Sequence, residues 1–427
     1  MLTREENEYL CRVGPGTPMG DLLRRYWIPA CPASDLPEPD CAPVRIRRVG
    51  QDLVAFRDSD GRVGVLDEQC CHRGASLFYG RVEDRGIRCL YHGWKYAVDG
   101  TILETPNMPD SRFRQRVKAP AYPVHEAGDV IWVYLGPPAK QPPPPDYVWM
   151  RVPSSHRFVF EFIQEHCNWV QALEGGMDSS HVGILHGDEV ALMTRGEYDP
   201  QGVGRDRYPS TDNAPVLEVQ NTNFGLHYAA LRRALEPGRH YVRITPYIMP
   251  FMTYPAGGAG VMRVPRDDES TAVITAGWRP EHEEPPDLAY VLRREGMDRP
   301  EVYGPDRVLR IPEQDREAMK RRESFTGIVG FNPQDGAMTM SMGGPIFDRS
   351  REHVVPADYA ILRMRRLLIE WAGRVAGGED PPGITPDVAT GEITGAGGVI
   401  DEGDSWQALV PGNVVTEEVS RRGMPAY

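Results

Sequence analysis

Two short cysteine and histidine motifs constrain this chain more than any other feature of its sequence. The first motif contains Cys70 and His72, spaced C-x-H, and the second contains Cys89 and His92, spaced C-x-x-H. Two thiolates and two imidazoles, carried on two loops, can hold an inorganic group between them. A glycine soon after each ligand pair lets the backbone turn tightly and point N–H groups toward the bound group. The motifs therefore predict a metal centre held by these four side chains.

The spacing of the ligands favours iron and sulfur over zinc. Mixed Cys₂His₂ ligation is found in structural zinc sites. It also suits a [2Fe–2S] cluster of the Rieske type, in which two Cys bind one iron and two His bind the other. Paired zinc ligands are usually separated by two to four residues, and C-x-H is tighter than that. An iron–sulfur cluster is the favoured interpretation, and zinc remains the alternative.

Composition narrows the class of protein. A chain of 427 residues is longer than a single hydrophobic core usually supports, so two domains are expected. The net charge of −13 argues against a nucleic-acid partner. The sequence has no apolar run long enough to span a membrane and begins without a signal-peptide pattern, so a cytoplasmic location and no membrane partner are expected. Seven cysteines, an odd number, oppose a disulfide framework.

The pattern along the chain divides it into four parts. Residues 1–26 are predicted to form a short helical segment, and residues 27–137 a small antiparallel β domain that carries the ligand loops. Six prolines within residues 138–147 and just before them indicate an extended linker. Residues 148–427 combine predicted strands with an amphipathic helix that ends at Ala376, so the fold class is α+β.

A second group of metal-ligand side chains lies early in the second domain. Asp178, His181 and His186 form the pattern D-x-x-H-x-x-x-x-H. Asp178 and His181, three residues apart, are expected on one helix face. His186 can join His181 only if the helix bulges, bends or ends near Gly183. Two imidazoles and a carboxylate form the facial triad of non-haem Fe(II) oxygenases. The alternative, two histidines in ordinary hydrogen bonds, stays open from this pattern alone.

Together the two motifs resemble a known family over nearly the whole chain: the catalytic α subunit of Rieske non-haem iron aromatic-ring-hydroxylating oxygenases. Finer matches point to its phthalate dioxygenase-like branch, which includes chlorobenzoate dioxygenases and aryl O-demethylases. These matches lie at residues 1–7, 14–20, 168–174 and 344–353. The resemblance implies an N-terminal Rieske antiparallel β domain followed by a helix-grip catalytic domain of antiparallel sheet and helices.

The resemblance also implies the ligands of two iron centres. A [2Fe–2S] Rieske cluster would be bound by Cys70, His72, Cys89 and His92. Mononuclear Fe(II) would be bound by His181, His186 and, from the motif Gln334-Asp335-Gly336-Ala337, Asp335. The competing carboxylates are Asp267 and Asp268, which are expected on an exposed hairpin.

In this family Asp178 is not a ligand. The resemblance implies that it bridges an iron-ligand histidine to a Rieske histidine of the neighbouring subunit, which requires a homo-oligomer, typically a head-to-tail trimer. The chain departs from the family pattern at three places. Cys71 replaces a usual Pro, Met340 stands where Glu is common, and Gly175-Gly176 replaces a segment in which an Asn is common.

The resemblance implies a terminal oxygenase that uses O₂ and electrons from NAD(P)H. The chain has no nucleotide-binding glycine motif, so a separate flavin and iron–sulfur reductase is expected. The expected reaction is dihydroxylation of a phthalate- or halobenzoate-like aromatic carboxylate. The alternatives are O-demethylation of a methoxylated, lignin-derived aromatic or biaryl acid, a non-catalytic Rieske electron carrier, and a zinc-stabilised binding protein.

A substrate carboxylate needs a cationic partner. Arg243 alternates in phase with Thr245 and Tyr247, so it is predicted to bind the carboxylate if that face lines the cavity. The alternative is that Arg243 is an exposed arginine on a strand. Arg205 and Arg207 are further candidates.

Overall fold

Three small antiparallel sheets occupy the first third of the chain. The computed structural model describes residues 2–108, 111–192, 212–234, 236–386 and 388–410. The sheets have the strand orders β1-β11-β10, β2-β3-β4-β9 and β5-β6-β7-β8. Their strands are β1 (Trp27–Pro32), β2 (Val44–Arg48), β3 (Gln51–Arg57), β4 (Val63–Asp67), β5 (Arg81–Glu83), β6 (Gly86–Arg88), β7 (Lys95–Tyr96), β8 (Ile102–Glu104), β9 (Ala121–Tyr122), β10 (Val124–Ala127) and β11 (Val130–Tyr134).

A single eight-stranded antiparallel sheet dominates the rest of the chain. Its order is β12-β18-β17-β16-β15-β14-β13, and β19 also pairs with β15. Its strands are β12 (Arg157–Gln164), β13 (Val216–Thr222), β14 (Gly225–Arg233), β15 (Arg239–Ile248), β16 (Met252–Thr253), β17 (Gly260–Pro265), β18 (Thr271–Trp278) and β19 (Ala396–Asp401).

Nine helices are described in the same ranges. The predicted helical segment within residues 1–26 and the predicted helix before Gly377 are both present. The helices are α1 (Arg4–Cys11), α2 (Pro18–Leu23), α3 (Ser111–Arg114), α4 (Trp169–Met177), α5 (Gly187–Leu192), α6 (Leu288–Arg294), α7 (Arg316–Arg321), α8 (Phe331–Thr339) and α9 (Tyr359–Ala376). The α+β fold class is confirmed. In the described part of the chain no helix has the length and apolar character needed to cross a bilayer.

Helix α9 packs against the rest of the fold through one apolar face. Ile361, Met364 and Leu368 recur at intervals of three and four, so they share one face, and all three are buried. That face joins a core cluster that also contains residues of α2 and α4 and of the large sheet. Burial of this apolar stripe, rather than helix propensity, stabilises α9.

A buried ion-pair network fixes α4 against α9. Glu174 of α4 accepts hydrogen bonds from Arg349 Nε at 2.7 Å and Arg365 Nε at 2.6 Å. Arg365 also pairs with Glu352 at 2.5 Å. Burial opposes ionisation of Glu174, but the two guanidinium groups outweigh it, so the pKa of Glu174 is lowered. Removing one partner would leave a buried charge unpaired, which costs about 3–5 kcal/mol. The network therefore holds the helix that precedes Asp178.

The turn that contains Asp267 and Asp268 connects β17 and β18, as predicted, but it is not exposed. Asp268 accepts a hydrogen bond from the backbone N–H of Val13 at 2.8 Å, and Asp267 accepts one from Arg47 Nε at 2.8 Å. The expectation of an exposed hairpin was wrong, because its alternation pattern could not show that the N-terminal part of the chain packs on the turn. The two carboxylates therefore join the β17–β18 turn to Val13 and Arg47 in the N-terminal part of the chain.

Candidate metal centres and active site

The two cysteine and histidine loops have the same backbone design. In the first, the N–H of Gly74 donates to the carbonyl of Cys70 at 2.8 Å, and in the second the N–H of Gly93 donates to the carbonyl of Cys89 at 3.0 Å. Both glycines have a φ of 74°, in the left-handed region that glycine adopts without strain. The second loop is the tip of the β6–β7 hairpin.

The ligand side chains of the two loops converge. The rings of His72 and His92 have centroids 4.6 Å apart at an interplanar angle of 78°. His72 also stacks on Trp94, with centroids 4.5 Å apart. Cys70 and Cys89 are buried, whereas both histidines are partly exposed. This asymmetric donor set fits a [2Fe–2S] group with its histidine-bound iron toward the surface.

One hydroxyl group reaches the cysteine side of this centre. Tyr96 is buried on β7, and its hydroxyl lies 2.9 Å from Cys70 Sγ. Exposed Cys71 places its own Sγ 3.5 Å from the same hydroxyl. Burial, followed by the contacts with these two thiols, raises the pKa of Tyr96, so the phenol stays protonated and can donate to sulfur.

The second centre forms where α4 ends. Asp178 is the C-cap of α4 in an extended conformation, with φ −86° and ψ 122°, and His181 begins a separate 3₁₀ turn. The expectation that Asp178 and His181 share a helix face was wrong, because the helix ends before Asp178 rather than near Gly183. The two side chains still meet, with His181 Nδ1 and Asp178 Oδ2 3.3 Å apart.

The structure brings His181, His186 and Asp335 together, and their ligand atoms all lie within 4.8 Å of one another. Asp335 Oδ1 lies 2.9 Å from His186 Nε2 and 3.6 Å from His181 Nε2. Burial opposes ionisation of Asp335, but the two histidines outweigh it and lower its pKa. Two imidazoles and one carboxylate are the donor set of a mononuclear non-haem iron. They would leave other coordination positions of the metal open.

Gln334 determines which nitrogen of His186 is available. Its amide Nε2 donates to the carbonyl of Ile328 at 2.7 Å, so its Oε1 is the acceptor that faces His186 Nδ1 at 2.7 Å. His186 Nδ1 therefore carries a proton, so Nε2 is the nitrogen that could bind a metal ion together with Asp335. The role of Gln334 was missed in the sequence, although it directly precedes Asp335 in the same motif.

Asp178 orients the other imidazole. Its Oδ1 accepts hydrogen bonds from the backbone N–H of Ser180 at 2.7 Å and from the Ser180 hydroxyl at 2.9 Å. Burial opposes its ionisation, but the bonds from His181 and Ser180 outweigh burial, so the pKa of Asp178 is lowered. The carboxylate is thus an acceptor for His181 Nδ1–H, which leaves His181 Nε2 free to bind a metal.

Arg243 is on the sheet face that carries the buried residues Tyr228 and Thr245, since Thr245 is the cross-strand partner of Tyr228. It is partly buried, so it is not an exposed strand arginine. Burial raises the pKa of Tyr228, while the charge of Arg243 lowers it. The charge of Asp178 raises the pKa of the same tyrosine. Arg205 and Arg207 lie outside the described residues.

Comparison with known families agrees with both centres. The model of the Rieske [2Fe-2S] domain matches residues 26–123, and the model described as LigXa C-terminal domain like matches residues 133–424. The second match alone covers more than half of the chain. The chain belongs to the Rieske oxygenase family. It is an oxidoreductase, and the cofactors of this family are a [2Fe–2S] Rieske cluster and a mononuclear iron.

Relatives of this Rieske oxygenase subunit include the oxygenase subunit of phthalate 4,5-dioxygenase from Pseudomonas putida. The two are 38% identical, over 98% of each chain. The oxygenase subunit of 3-chlorobenzoate-3,4-dioxygenase from Comamonas testosteroni is 36% identical, over 90% of this chain and 92% of the relative. The oxygenase subunit of 5,5'-dehydrodivanillate O-demethylase from a Sphingobium strain is 31% identical, over 91% and 85%.

Solved structures share the fold at low identity. Dicamba monooxygenase bound to dicamba superposes with a TM-score of 0.56 at 18% identity, covering 84% of this chain and 99% of that chain. NdmA from Pseudomonas putida CBB5 with caffeine gives 0.57 at 16% identity, covering 84% and 94%. These matches confirm the α+β fold, and the family models place the Rieske β domain before the second domain of antiparallel sheet and helices.

Proposed function

We propose that this subunit is a terminal oxygenase that uses O₂ and electrons relayed from NAD(P)H by a separate flavin and iron–sulfur reductase to oxygenate an aromatic carboxylate. The convergence of His181, His186 and Asp335, each of which offers one ligand atom, carries the proposal. The iron bound there would activate O₂. The protein groups hold the ligand atoms in place and keep both imidazoles in the metal-binding tautomer.

The cluster ligands in this proposal are Cys70, His72, Cys89 and His92. Residues 27–137 are assigned to the Rieske domain and residues 148–427 to the catalytic domain, joined by the linker 138–147.

Asp178 is assigned as the bridge between subunits. Its Oδ2 accepts from His181, and the carboxylate is still partly exposed, so a second imidazole from a neighbouring chain can reach it. Leu90 and Tyr91, beside His92, are exposed apolar residues that suit contact with such a neighbour. A homo-oligomer, in the form of a head-to-tail trimer, is therefore proposed.

Two assays test this function. The purified protein should contain about three iron atoms per chain, two in the cluster and one mononuclear. A panel of phthalates, halobenzoates and methoxylated biaryl acids should then reveal substrate-dependent O₂ uptake coupled to product. A colourless protein with stoichiometric zinc, or an iron protein that consumes no O₂ with any of these acids, would contradict the proposal.

O-demethylation is the second candidate, favoured by the match to the 5,5'-dehydrodivanillate enzyme over most of both chains. Formaldehyde released from a methoxylated acid would identify it, whereas a cis-diol product would identify dihydroxylation.

Replacing Tyr96 by Phe is expected to lower the midpoint potential of the Rieske cluster. The hydroxyl 2.9 Å from Cys70 Sγ can donate to the ligand sulfur, and hydrogen bonds to the sulfurs stabilise the reduced cluster. The loss should be tens of millivolts, measured by a redox titration followed by EPR. Tyr79→Phe, which removes an exposed hydroxyl near the first loop, is the matched control. An unchanged potential in Tyr96→Phe would contradict the hydrogen bond.

Replacing Arg243 by Gln is expected to raise the KM for an aromatic acid about 100-fold, because a charge-assisted hydrogen bond to a carboxylate is worth about 1.5–3 kcal/mol. The KM for its methyl ester should change little. Steady-state O₂ uptake with both compounds measures the difference. Equal effects on acid and ester would exclude Arg243 as the carboxylate partner.

A further inference from the structure

Arg263, on β17, carries a charge for which the described residues supply no ion-pair partner. Its Nη1 donates to Thr253 Oγ1 at 2.7 Å and lies 3.5 Å from the carbonyl of Val261. Within the ranges that the structure describes, Nε and Nη2 have no hydrogen-bond acceptor. By contrast, Arg48 and Arg349 are buried arginines that each bind a carboxylate.

The guanidinium of Arg263 lies directly against the backbone of α4. A Cβ atom added at Gly176 would be 2.3 Å from Arg263 Nη1 and 2.5 Å from its Cζ, which is closer than atoms can approach. Gly175, by comparison, has room for a side chain. The glycine at position 176, one of the departures from the family pattern, thus makes room for Arg263 two residues before Asp178.

The position of Arg263 relates it to the iron site. Burial lowers the pKa of Arg263 to about 10, and the charge of Asp335 raises it. Asp335 acts on Arg263 only through its charge, because the close contacts of its carboxylate are with His186 at 2.9 Å and His181 at 3.6 Å and it forms no ion pair with the arginine. A partly buried guanidinium that forms no ion pair is still costly, and such groups concentrate at functional sites. The arginine remains partly accessible, so an anion can reach it.

We propose that Arg263 binds a carboxylate of the aromatic substrate, and that Gly176 is required to keep its guanidinium at the site. This inference rests on the proposed function, because it assumes an anionic aromatic substrate. With Arg243 on another strand of the same sheet, Arg263 gives the site two guanidinium groups. The pair would favour a dicarboxylate over a monocarboxylate or a neutral ester. A guanidinium fork can donate hydrogen bonds to both oxygens of one carboxylate, which fixes the orientation of the ring relative to the iron ligands.

The test measures binding to the oxidised holoenzyme by equilibrium dialysis, with phthalate and dimethyl phthalate as probes. Arg263→Gln should weaken phthalate binding about 100-fold and leave dimethyl phthalate binding within about twofold, as expected for loss of a buried charge-assisted pair. Arg263→Lys keeps the charge but not the fork and should lose about tenfold. Gly176→Ala should displace the guanidinium and also weaken phthalate binding selectively.

Controls separate this role from a structural one. Arg266→Gln, on the same hairpin, should bind both probes as the wild type does, and thermal melting with iron content reports the fold of each variant. Equal loss of both probes, or unchanged phthalate affinity in Arg263→Gln and Gly176→Ala, would overturn the role of Arg263. If Arg263→Gln does not fold, Arg263→Lys and Gly176→Ala decide. A wild-type protein with normal iron content that neither binds nor oxidises any aromatic acid would overturn the proposed function itself.

Discussion

Replacing Asp178 by Asn should abolish coupled turnover, with a loss of about 1000-fold, while the iron content stays near three atoms per chain. Asn has the shape of Asp but no charge and only one oxygen, so it cannot accept from an imidazole on each side. Exchange of a histidine-orienting Asp for Asn in a catalytic triad costs about 10⁴-fold, which sets the scale. Single-turnover reduction of the mononuclear site, followed by stopped flow, measures the effect on electron transfer separately from iron loss.

A graded control accompanies Asp178→Asn. Ser180→Ala removes the hydroxyl that donates to Asp178 at 2.9 Å but keeps the charge and the bond from the backbone N–H. Its turnover should fall by less than about tenfold, since one hydrogen bond to a charged group is lost. Full activity in Asp178→Asn would refute the bridging role.

Replacing Asp335 by Ala should lower the iron content from about three atoms to about two per chain and eliminate substrate-dependent O₂ uptake. The carboxylate is the only acidic member of the triad whose ligand atoms lie within 4.8 Å of one another in the described residues, so its loss leaves two imidazoles. The visible spectrum of the Rieske cluster should remain, because its ligands are on other loops. Metal analysis and absorption spectroscopy of the same sample measure both quantities.

Asp267→Asn is the matched control for Asp335→Ala. Asp267 was the competing candidate for the third ligand, and it instead binds Arg47. The control should keep three iron atoms and lose at most some stability. Loss of iron in Asp267→Asn with retention in Asp335→Ala would reverse the assignment.

The sequence predicted the parts of this fold that depend on local pattern. The antiparallel strands within residues 27–137 and the helix α9 follow from alternation and three-and-four spacing, and they are present. The sequence also predicted the residues that converge at both centres. Only a few side-chain types can bind a metal ion, so the spacing of such residues indicates a metal site even without a structure.

What the sequence could not predict depends on contacts between distant residues. The packing of Asp268 on Val13 and the contact of Arg263 with Gly176 are each set by a partner far along the chain. The pattern of neighbouring residues in the sequence does not indicate which distant residues they will contact. The sequence showed that Gly176 departs from the family pattern. Only the structure showed that the absence of a side chain there makes room for Arg263.

In the proposed function, electrons pass from the Rieske centre of one chain to the iron site of its neighbour. Mixed oligomers test this most directly: Cys89→Ser chains lack the cluster, Asp335→Ala chains lack the mononuclear iron, and each variant alone is inactive. In oligomers assembled from equal amounts of both, one in four directed interfaces joins an intact cluster to an intact iron site, so about a quarter of wild-type activity should return. Mixed oligomers, verified by native mass spectrometry, that remain inactive would contradict the relay between subunits.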